Sequence, residues 1–465
     1  MQPTVSFTLG ILLATSPIPA QPHPATHPAT HPAGAQFRSL FDGHSLEGWT
    51  TRGGRYDGKA VWRVEDGAIV GREGPNHAGG LLYTKGYYRS FQLSLETWID
   101  YPFDSGIFLN MVPRGVPANE GGGRGYQVTL DYRPNGEIGG IYADGWLMHN
   151  STAKAAFRRG EWNRVDVRCT GTTPRIEVWL NGKKITDFEH TNPKGFAVEG
   201  RIGLQVHGNR NDPGKPRARF RNIRLRELPL FDRAVFRVDD QGQLHALGTS
   251  SFQRLFDGKS LAGWEPVGAK PEGFVTANGV LAFRRTGGGG YLRTTRDFRD
   301  FDLRLDFKIA DMANSGVFLR AARDGSNPAY SGCEIQILDD HNWERVTKTK
   351  LKPYQFAGGL YGSVAAGKPG GRDALRPNGR WNTYRIRYRG SRIRVELNGH
   401  ELYDVDTHKV PGKPFAKRAK RGFIGLQRHA PEQVHGEFYA WFRNIWLRPI
   451  HATASQPEGK KRRKL

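Results

Sequence analysis

The sequence predicts an all-β chain of two tandem antiparallel β-sandwich domains, and three observations carry that reading. The first is an internal repeat. Phe37-Arg38-Ser39-Leu40-Phe41-Asp42-Gly43, followed by Ser45-Leu46 and Gly48-Trp49, returns as Phe252-Gln253-Arg254-Leu255-Phe256-Asp257-Gly258, followed by Ser260-Leu261 and Gly263-Trp264. A period of ~215 residues is far too long for a solenoid, so each copy is a whole domain. The second is alternation of polar and apolar residues, as in Asp302-Leu303-Arg304-Leu305-Asp306-Phe307-Lys308-Ile309 and Arg392-Ile393-Arg394-Val395-Glu396-Leu397, the pattern of half-buried strands. The third is the pair Asn181-Gly182 and Asn398-Gly399. Asn-Gly marks a tight hairpin because a type I′ turn needs positive φ at both central residues.

Further pairs match in the same order along the two copies. Ser105-Gly106-Ile107-Phe108-Leu109 matches Ser315-Gly316-Val317-Phe318-Leu319, and Gly140-Ile141-Tyr142 matches Gly359-Leu360-Tyr361. Trp162-Asn163 matches Trp381-Asn382, and Leu180-Asn181-Gly182 matches Leu397-Asn398-Gly399. Ile202-Gly203-Leu204-Gln205 with His207 matches Ile424-Gly425-Leu426-Gln427 with His429, and Phe220-Arg221-Asn222-Ile223 matches Phe442-Arg443-Asn444-Ile445. The copies therefore span 37–228 and 252–449, with a linker over 229–251. Helical periodicity is scarce, and many short strands point to a sandwich or jelly roll.

The ends read differently. Val5 to Ala14 is a short apolar run before small residues, so residues 1–20 are expected to be an export signal, although its positive leading segment is missing. Residues 21–36 are a Pro/His/Ala/Thr-rich linker, a composition that cannot bury a core. Residues 450–465 form a basic tail expected to be disordered. An exported protein, periplasmic or extracellular and without a transmembrane segment in its mature form, is the expected outcome.

The net charge of +24 is spread along strands, as in Arg385-Ile386-Arg387-Tyr388-Arg389, and only Lys460-Lys461-Arg462-Arg463-Lys464 is a basic run. This disfavours specific nucleic-acid binding and suits an anionic polysaccharide or surface better. Two cysteines, Cys169 and Cys333, at non-equivalent places imply no disulfide framework.

The second copy carries Asn314 to Arg320 (NSGVFLR), Glu334 to Asp340 (EIQILDD), Gly358 to Gly362 (GGLYG), Trp381 to Tyr384 (WNTY), Gly422 to His429 (GFIGLQRH) and Phe442 to Leu447 (FRNIWL). With the opening FDGxSLxGW, these resemble the 3-keto-disaccharide hydrolase, or 3-keto-glucoside 1,2-lyase/hydratase, domain family. The resemblance covers nearly all of the second copy, and the ends and hairpin of the first. It implies a concanavalin/LamG-like jelly roll in an exported, carbohydrate-active hydrolase or lyase that takes an oligosaccharide or glycoside. The first copy departs in its middle, with Gln127 and Thr129 where the second has Glu334 and Gln336, and Asn110 where it has Arg320.

The reaction so implied is removal of the C2 proton of a 3-keto-glycoside, elimination of the aglycone and hydration of the product. It needs a base, a group to hold the C3 oxygen and an acid for the leaving group. Glu334 is the candidate base. Arg320 or a divalent metal ion would hold the enediolate oxygen, and no other cofactor is expected. His429 would act as general acid or, with Asp340, as a metal ligand. Tyr361 would donate a proton or stack on the sugar, while Gln336, Gln427 and Asp339 would bind substrate. An ordinary glycosidase needs two carboxyl groups; the same-face neighbour of Glu334 on its strand is Gln336, ~6.6 Å along, and Asp339 lies ~16 Å along if the chain is extended. The residues also admit a plainer reading. Glu334 would pair with Arg320 at the surface, His429 would be structural, Tyr361 would belong to the core or rim, and Trp49, Trp162, Trp264 and Trp381 would fill the cores. The matching alternative is a non-catalytic carbohydrate-binding or adhesion module.

Overall fold

The computed structural model describes residues 36–115, 123–171, 173–208, 216–366, 374–429 and 436–450. The export signal (1–20), nearly all of the linker over 21–36 and nearly all of the basic tail (450–465) lie outside the described residues.

In the first copy one sheet orders the strands Lys183–Glu189, Arg175–Leu180, Asn163–Thr170, Phe91–Ile99, Arg217–Glu227, Ala68–Arg72 and Val61–Glu65, with Arg38–Ser39 added on Arg217–Glu227. The facing sheet runs Trp146–Met148, Ile138–Tyr142, Tyr126–Asp131, Asp104–Met111, Arg201–Val206, Gly80–Thr84 and Trp49–Thr50. The second copy repeats the plan. Its larger sheet runs Phe274–Ala277, Val280–Arg284, Phe438–Pro449, Phe301–Ile309, Asn382–Arg389, Arg392–Leu397 and His400–Asp406, with Gln253–Arg254 on Phe438–Pro449. Its smaller sheet runs Trp264–Val267, Gly290–Thr294, Phe423–Arg428, Asn314–Ala321 and Cys333–Leu338. The ladders are antiparallel, as between Phe91–Ile99 and Asn163–Thr170 or Asn314–Ala321 and Phe423–Arg428. Each pair of sheets closes on its own apolar core, because alternate residues of every long strand point inward.

The repeated motifs are mostly clamps of this fold. Asp42 and Asp257 each accept backbone N–H bonds from the second and third residues after them, which closes the opening turn. Trp49 and Trp264 are buried and donate their indole N–H to Leu40 and Leu255 carbonyls at 2.8 and 2.6 Å. Both Asn-Gly pairs sit at hairpin tips with φ of 51° and 84°, and 52° and 79°. Asn181 and Asn398 also donate to Asn163 and Asn382 at 2.9 and 2.8 Å, which ties the Leu-Asn-Gly motif to the Trp-Asn motif. Trp162 and Trp381 correct the expectation of core tryptophans. The neighbouring Asn163 and Asn382 turn inward, so the preceding indoles turn outward, half-buried beneath Arg221 and Arg443, each 4.0 Å from the ring centre. Cys169 and Cys333 are free thiols buried in the separate cores.

Between the sandwiches, Phe236–Val238 and Leu244–Ala246 form a small hairpin whose Phe236 and Leu244 pack on Trp446 with Phe231. The two sandwiches meet through Arg376–Glu199 at 3.1 Å and Arg380–Glu227 at 2.9 Å. Arg304 also donates to the Leu230 carbonyl at 2.7 Å. Among the described residues no helix is long and apolar enough to cross a membrane.

Candidate functional site

Strand Cys333–Leu338 sends Cys333, Ile335 and Ile337 into the core, so Glu334, Gln336 and Leu338 face outward. There they line a cavity of about 350 Å³ on the outer face of the smaller sheet. The adjacent strand places Gly316 opposite Gln336 and Phe318 opposite Glu334, and Gln427 pairs with Gly316 from the other side. Gly316 leaves the space that the Glu334 carboxyl occupies: a Cβ there would come within 2.2 Å of Oε1. Ser315 faces the other way and fixes the neighbouring strand by donating to the Gln427 carbonyl at 2.7 Å.

Glu334 is 3% exposed. Burial pushes its carboxyl up to about 8, and a hydrogen bond with the Gln427 side chain only partly opposes this. Tyr361 is held beside it, its backbone N–H donating to the Glu334 carbonyl at 2.9 Å. Burial raises the Tyr361 phenol, against a hydrogen bond with Gln355. The Gln336 Oε1 accepts from the Ile337 N–H at 3.1 Å, which leaves its amide donors for the cavity. Two buried acceptors, Asn314 Oδ1 and Gln427 Oε1, have no partner within the protein. Buried acceptors left unpaired carry a penalty of ~1–3 kcal/mol each, so a ligand rich in hydroxyl donors complements this lining.

Of the residues singled out from the sequence, Glu334, Gln336, Tyr361, Gln427 and His429 line this one cavity, with His429 exposed at its mouth. Arg320, Asp339 and Asp340 do not, and each is a correction. Alternation would put Arg320 on the Glu334 face, but the register shifts between Phe318 and Ala321 and Arg320 has φ of 51°. This bulge turns the guanidinium away to Asp300 and to the Gly390, Tyr388 and Arg299 carbonyls. Asp339 accepts from the Met312 N–H at 2.8 Å and from Asn342, closing a loop. Asp340 takes the Ala357 N–H on both oxygens at 3.0 Å. Burial of the chain reversal after Leu338 consumes both carboxylates as backbone acceptors. Among the described residues no group of three or more His, Cys, Asp or Glu side chains is placed to hold a metal ion. With Asp340 turned away, the expected pair with His429 does not form, and the lining does not fit a metal centre.

Sequence reasoning missed Asn314 and Gln355. Asn314 was legible, since it shares the parity of Gly316 on its strand; Gln355 comes from a 3-10 turn that carries no periodic signal.

The first sandwich has an equivalent, larger cavity of about 720 Å³. Gln127 replaces Glu334 there and donates to Gln205, the counterpart of Gln427, at 3.1 Å. Tyr142 and His207 line it as Tyr361 and His429 line the other. Asn110 sits on the same kind of bulge as Arg320, with φ of 55°, and bonds the Ala197 carbonyl. The absence of Glu334 does not leave this cavity without acids, because Asp104 and Asp131 line it.

A family model described as the 3-keto-alpha-glucoside-1,2-lyase-like domain matches residues 36–226 and 251–448. A Bacteroides thetaiotaomicron (strain VPI-5482) protein named 3-keto-disaccharide hydrolase is 27% identical over 236 residues, covering 42% of this chain and 77% of that protein. The crystal structure of a proposed glycosyl hydrolase from Parabacteroides distasonis ATCC 8503 is similar at 32% identity, with a TM-score of 0.35, over 43% of this chain and 99% of that one. The carbohydrate-binding module CBM66 from Bacillus subtilis is similar at 15% identity with a TM-score of 0.28, over 39% of this chain and 96% of that one.

Proposed function

The chain belongs to the 3-keto-alpha-glucoside-1,2-lyase-like domain family, in two copies, and from that premise we propose that its second sandwich cleaves 3-keto-glycosides with Glu334 as the base. The observation that carries this is a single buried carboxyl. Glu334 is the sole Asp or Glu among the described residues lining the cavity. Double-carboxylate glycoside hydrolysis therefore lacks its second acid, whereas elimination next to a ketone needs one base.

A ketone at C3 acidifies the C2 proton. Glu334 takes that proton, the C2 electron pair forms the C1–C2 double bond, and the C1–O bond breaks with its electrons on the aglycone oxygen. A proton delivered to that oxygen completes departure; His429, exposed in the cavity lining, would deliver it. Gln336, whose amide donors are free for the cavity, would hold the C3 oxygen in the role that Arg320 cannot take. Water then adds across C1–C2, its hydroxyl to C1 and its proton to C2, giving the free 3-keto sugar. Asn314 and Gln427 would accept from sugar hydroxyls.

Export, through the apolar segment of residues 1–20, and attraction of the basic surface to anionic polysaccharide belong to the same proposal. The test is turnover of 4-nitrophenyl 3-keto-α-glucoside in D₂O. Elimination followed by hydration leaves deuterium at C2 of the product; release of nitrophenol without it overturns the elimination. Absence of turnover together with oligosaccharide binding would instead favour the non-catalytic module.

A further inference from the structure

We propose that the first sandwich carries a second saccharide site, separate from the one above, which takes a neutral di- or oligosaccharide. Its cavity, about 720 Å³ against about 350 Å³ in the second sandwich, lies in the size range of small-molecule sites and admits a longer ligand. The extra room has a structural origin. The sheet that bears it gains the strands Ile138–Tyr142 and Trp146–Met148 at one edge, where the described residues of the second copy make only the isolated bridges Ile335–Leu360 and Leu360–Val364. These strands bring an aromatic rim: Trp146 is 44% exposed, edge-on to Tyr142 at 5.5 Å and stacked on His149 at 4.5 Å. A large exposed indole at the edge of a polar cavity offers the apolar face of a pyranose a flat partner while its polar edge stays wet. Tyr56 supplies a second ring, packed on Phe108 at 5.8 Å and tied to Asp144 and Arg55.

The polar lining has been rebuilt rather than lost. Asp104 stands where the second copy has Asn314. Its Oδ2 lies 3.1 Å from Arg133 and 3.7 Å from His207, and Arg133 also holds Asp131 at 2.7 Å. Burial, helped by Asp131, raises the Asp104 carboxyl to about 6 against the pull of His207 and Arg133, so at neutral pH it is mostly a carboxylate that accepts hydrogen bonds. The acid has thus moved from the middle of the sheet, at the position of Gln127, to the strand end beside the histidine. Charge selects the ligand class: Arg55, Arg114 and Arg133 face Asp57, Asp104, Asp131 and Asp144. A lining so balanced gives a uronate no net attraction, and carboxylates paired with arginine are suited to vicinal hydroxyls.

The inference does not depend on catalysis by the second sandwich, and its test separates the two. The full chain is titrated by calorimetry with maltose, cellobiose and trehalose, and with trigalacturonate as the anionic contrast. One neutral sugar is expected to bind with an affinity that Trp146→Ala and Asp104→Asn each weaken at least tenfold, while turnover of the 3-keto-glucoside stays within about twofold of wild type in both variants. Trp146 is exposed, so its variant keeps the fold, and circular dichroism checks Asp104→Asn. Binding by none of the three neutral sugars, binding that survives Trp146→Ala, or tighter binding of trigalacturonate that Trp146→Ala also weakens would each overturn the proposal.

Discussion

The carboxyl of Glu334 lies directly over Gly316, so close that a methyl group on that glycine would meet Oε1 at 2.2 Å. The glycine sits opposite Gln336 on the adjacent strand and the acid is its diagonal neighbour, two residues away, and the missing side chain is what lets a buried carboxyl fold down into the cavity. The same relation holds in the first sandwich, where a Cβ on Gly106 would meet Gln127 Nε2 at 2.7 Å.

That contact predicts the behaviour of Gly316→Ala. The neighbour is a side-chain end, so the fold can give way by swinging Glu334 aside. The variant should stay folded and lose turnover by ~10-fold or more, as expected for a misplaced base. Gly106→Ala should leave the same turnover unchanged. Steady-state kinetics with the 3-keto-glucoside checks both; full activity in Gly316→Ala would mean that the position of the carboxyl does not matter.

Glu334→Gln should lower kcat by ~10²–10⁴ with substrate binding retained, because the amide keeps the shape and hydrogen bonds of the acid but cannot take a proton. Gln127→Ala, at the equivalent place in the first sandwich, should barely affect that turnover. Wild-type rates in Glu334→Gln would discard the base assignment.

Glu334 also predicts two pH effects of opposite sign. Its carboxyl is raised from the ordinary 4.5 to about 8, so the stability it contributes is full below about pH 4.5 and is lost as pH rises through about 8. Glu334→Gln cannot ionise and should be more stable than wild type at pH 9 by about 2–4 kcal/mol, with the two alike at pH 4. Catalysis runs the other way: kcat/KM should climb as the carboxyl ionises and level off above pH 8. Urea unfolding at both pH values and a pH–rate profile measure the two effects.

Arg320→Ala should damage the fold rather than the chemistry. Its guanidinium, 3% exposed, holds Asp300 and three backbone carbonyls, and losing a buried charged partner costs about 3 kcal/mol or more. A fall in urea midpoint with kcat of the folded protein within about twofold, inside the scatter of a non-catalytic change, is the expected pair. A kcat loss as large as that of Glu334→Gln would return Arg320 to the site.

What the sequence determined by itself was the repeat, the β class and the faces of the regular strands. Alternation is a local property, so Glu334, Gln336 and, by the same parity, Asn314 are assigned to one face without knowing any contact. Asn181-Gly182 and Asn398-Gly399 likewise state their turns, because positive φ at two successive residues is demanded locally. Only the tertiary structure decided which motif residues serve the site. Ser105 and Ser315, Asn163 and Asn382, and the opening aspartates read as chemistry-bearing types, yet they are spent on backbone groups that folding would otherwise bury unpaired. Arg320 looked like a ligand of the C3 oxygen until a one-residue bulge reversed its face. Asp339 looked like a substrate contact and Asp340 like a metal ligand until the loop after Leu338 claimed their oxygens. Asp104 escaped notice for the converse reason: its importance lies in His207, Asp131 and Arg133, which reach it from separate strands and loops, and burial by distant chain is what gives a carboxyl its unusual proton affinity.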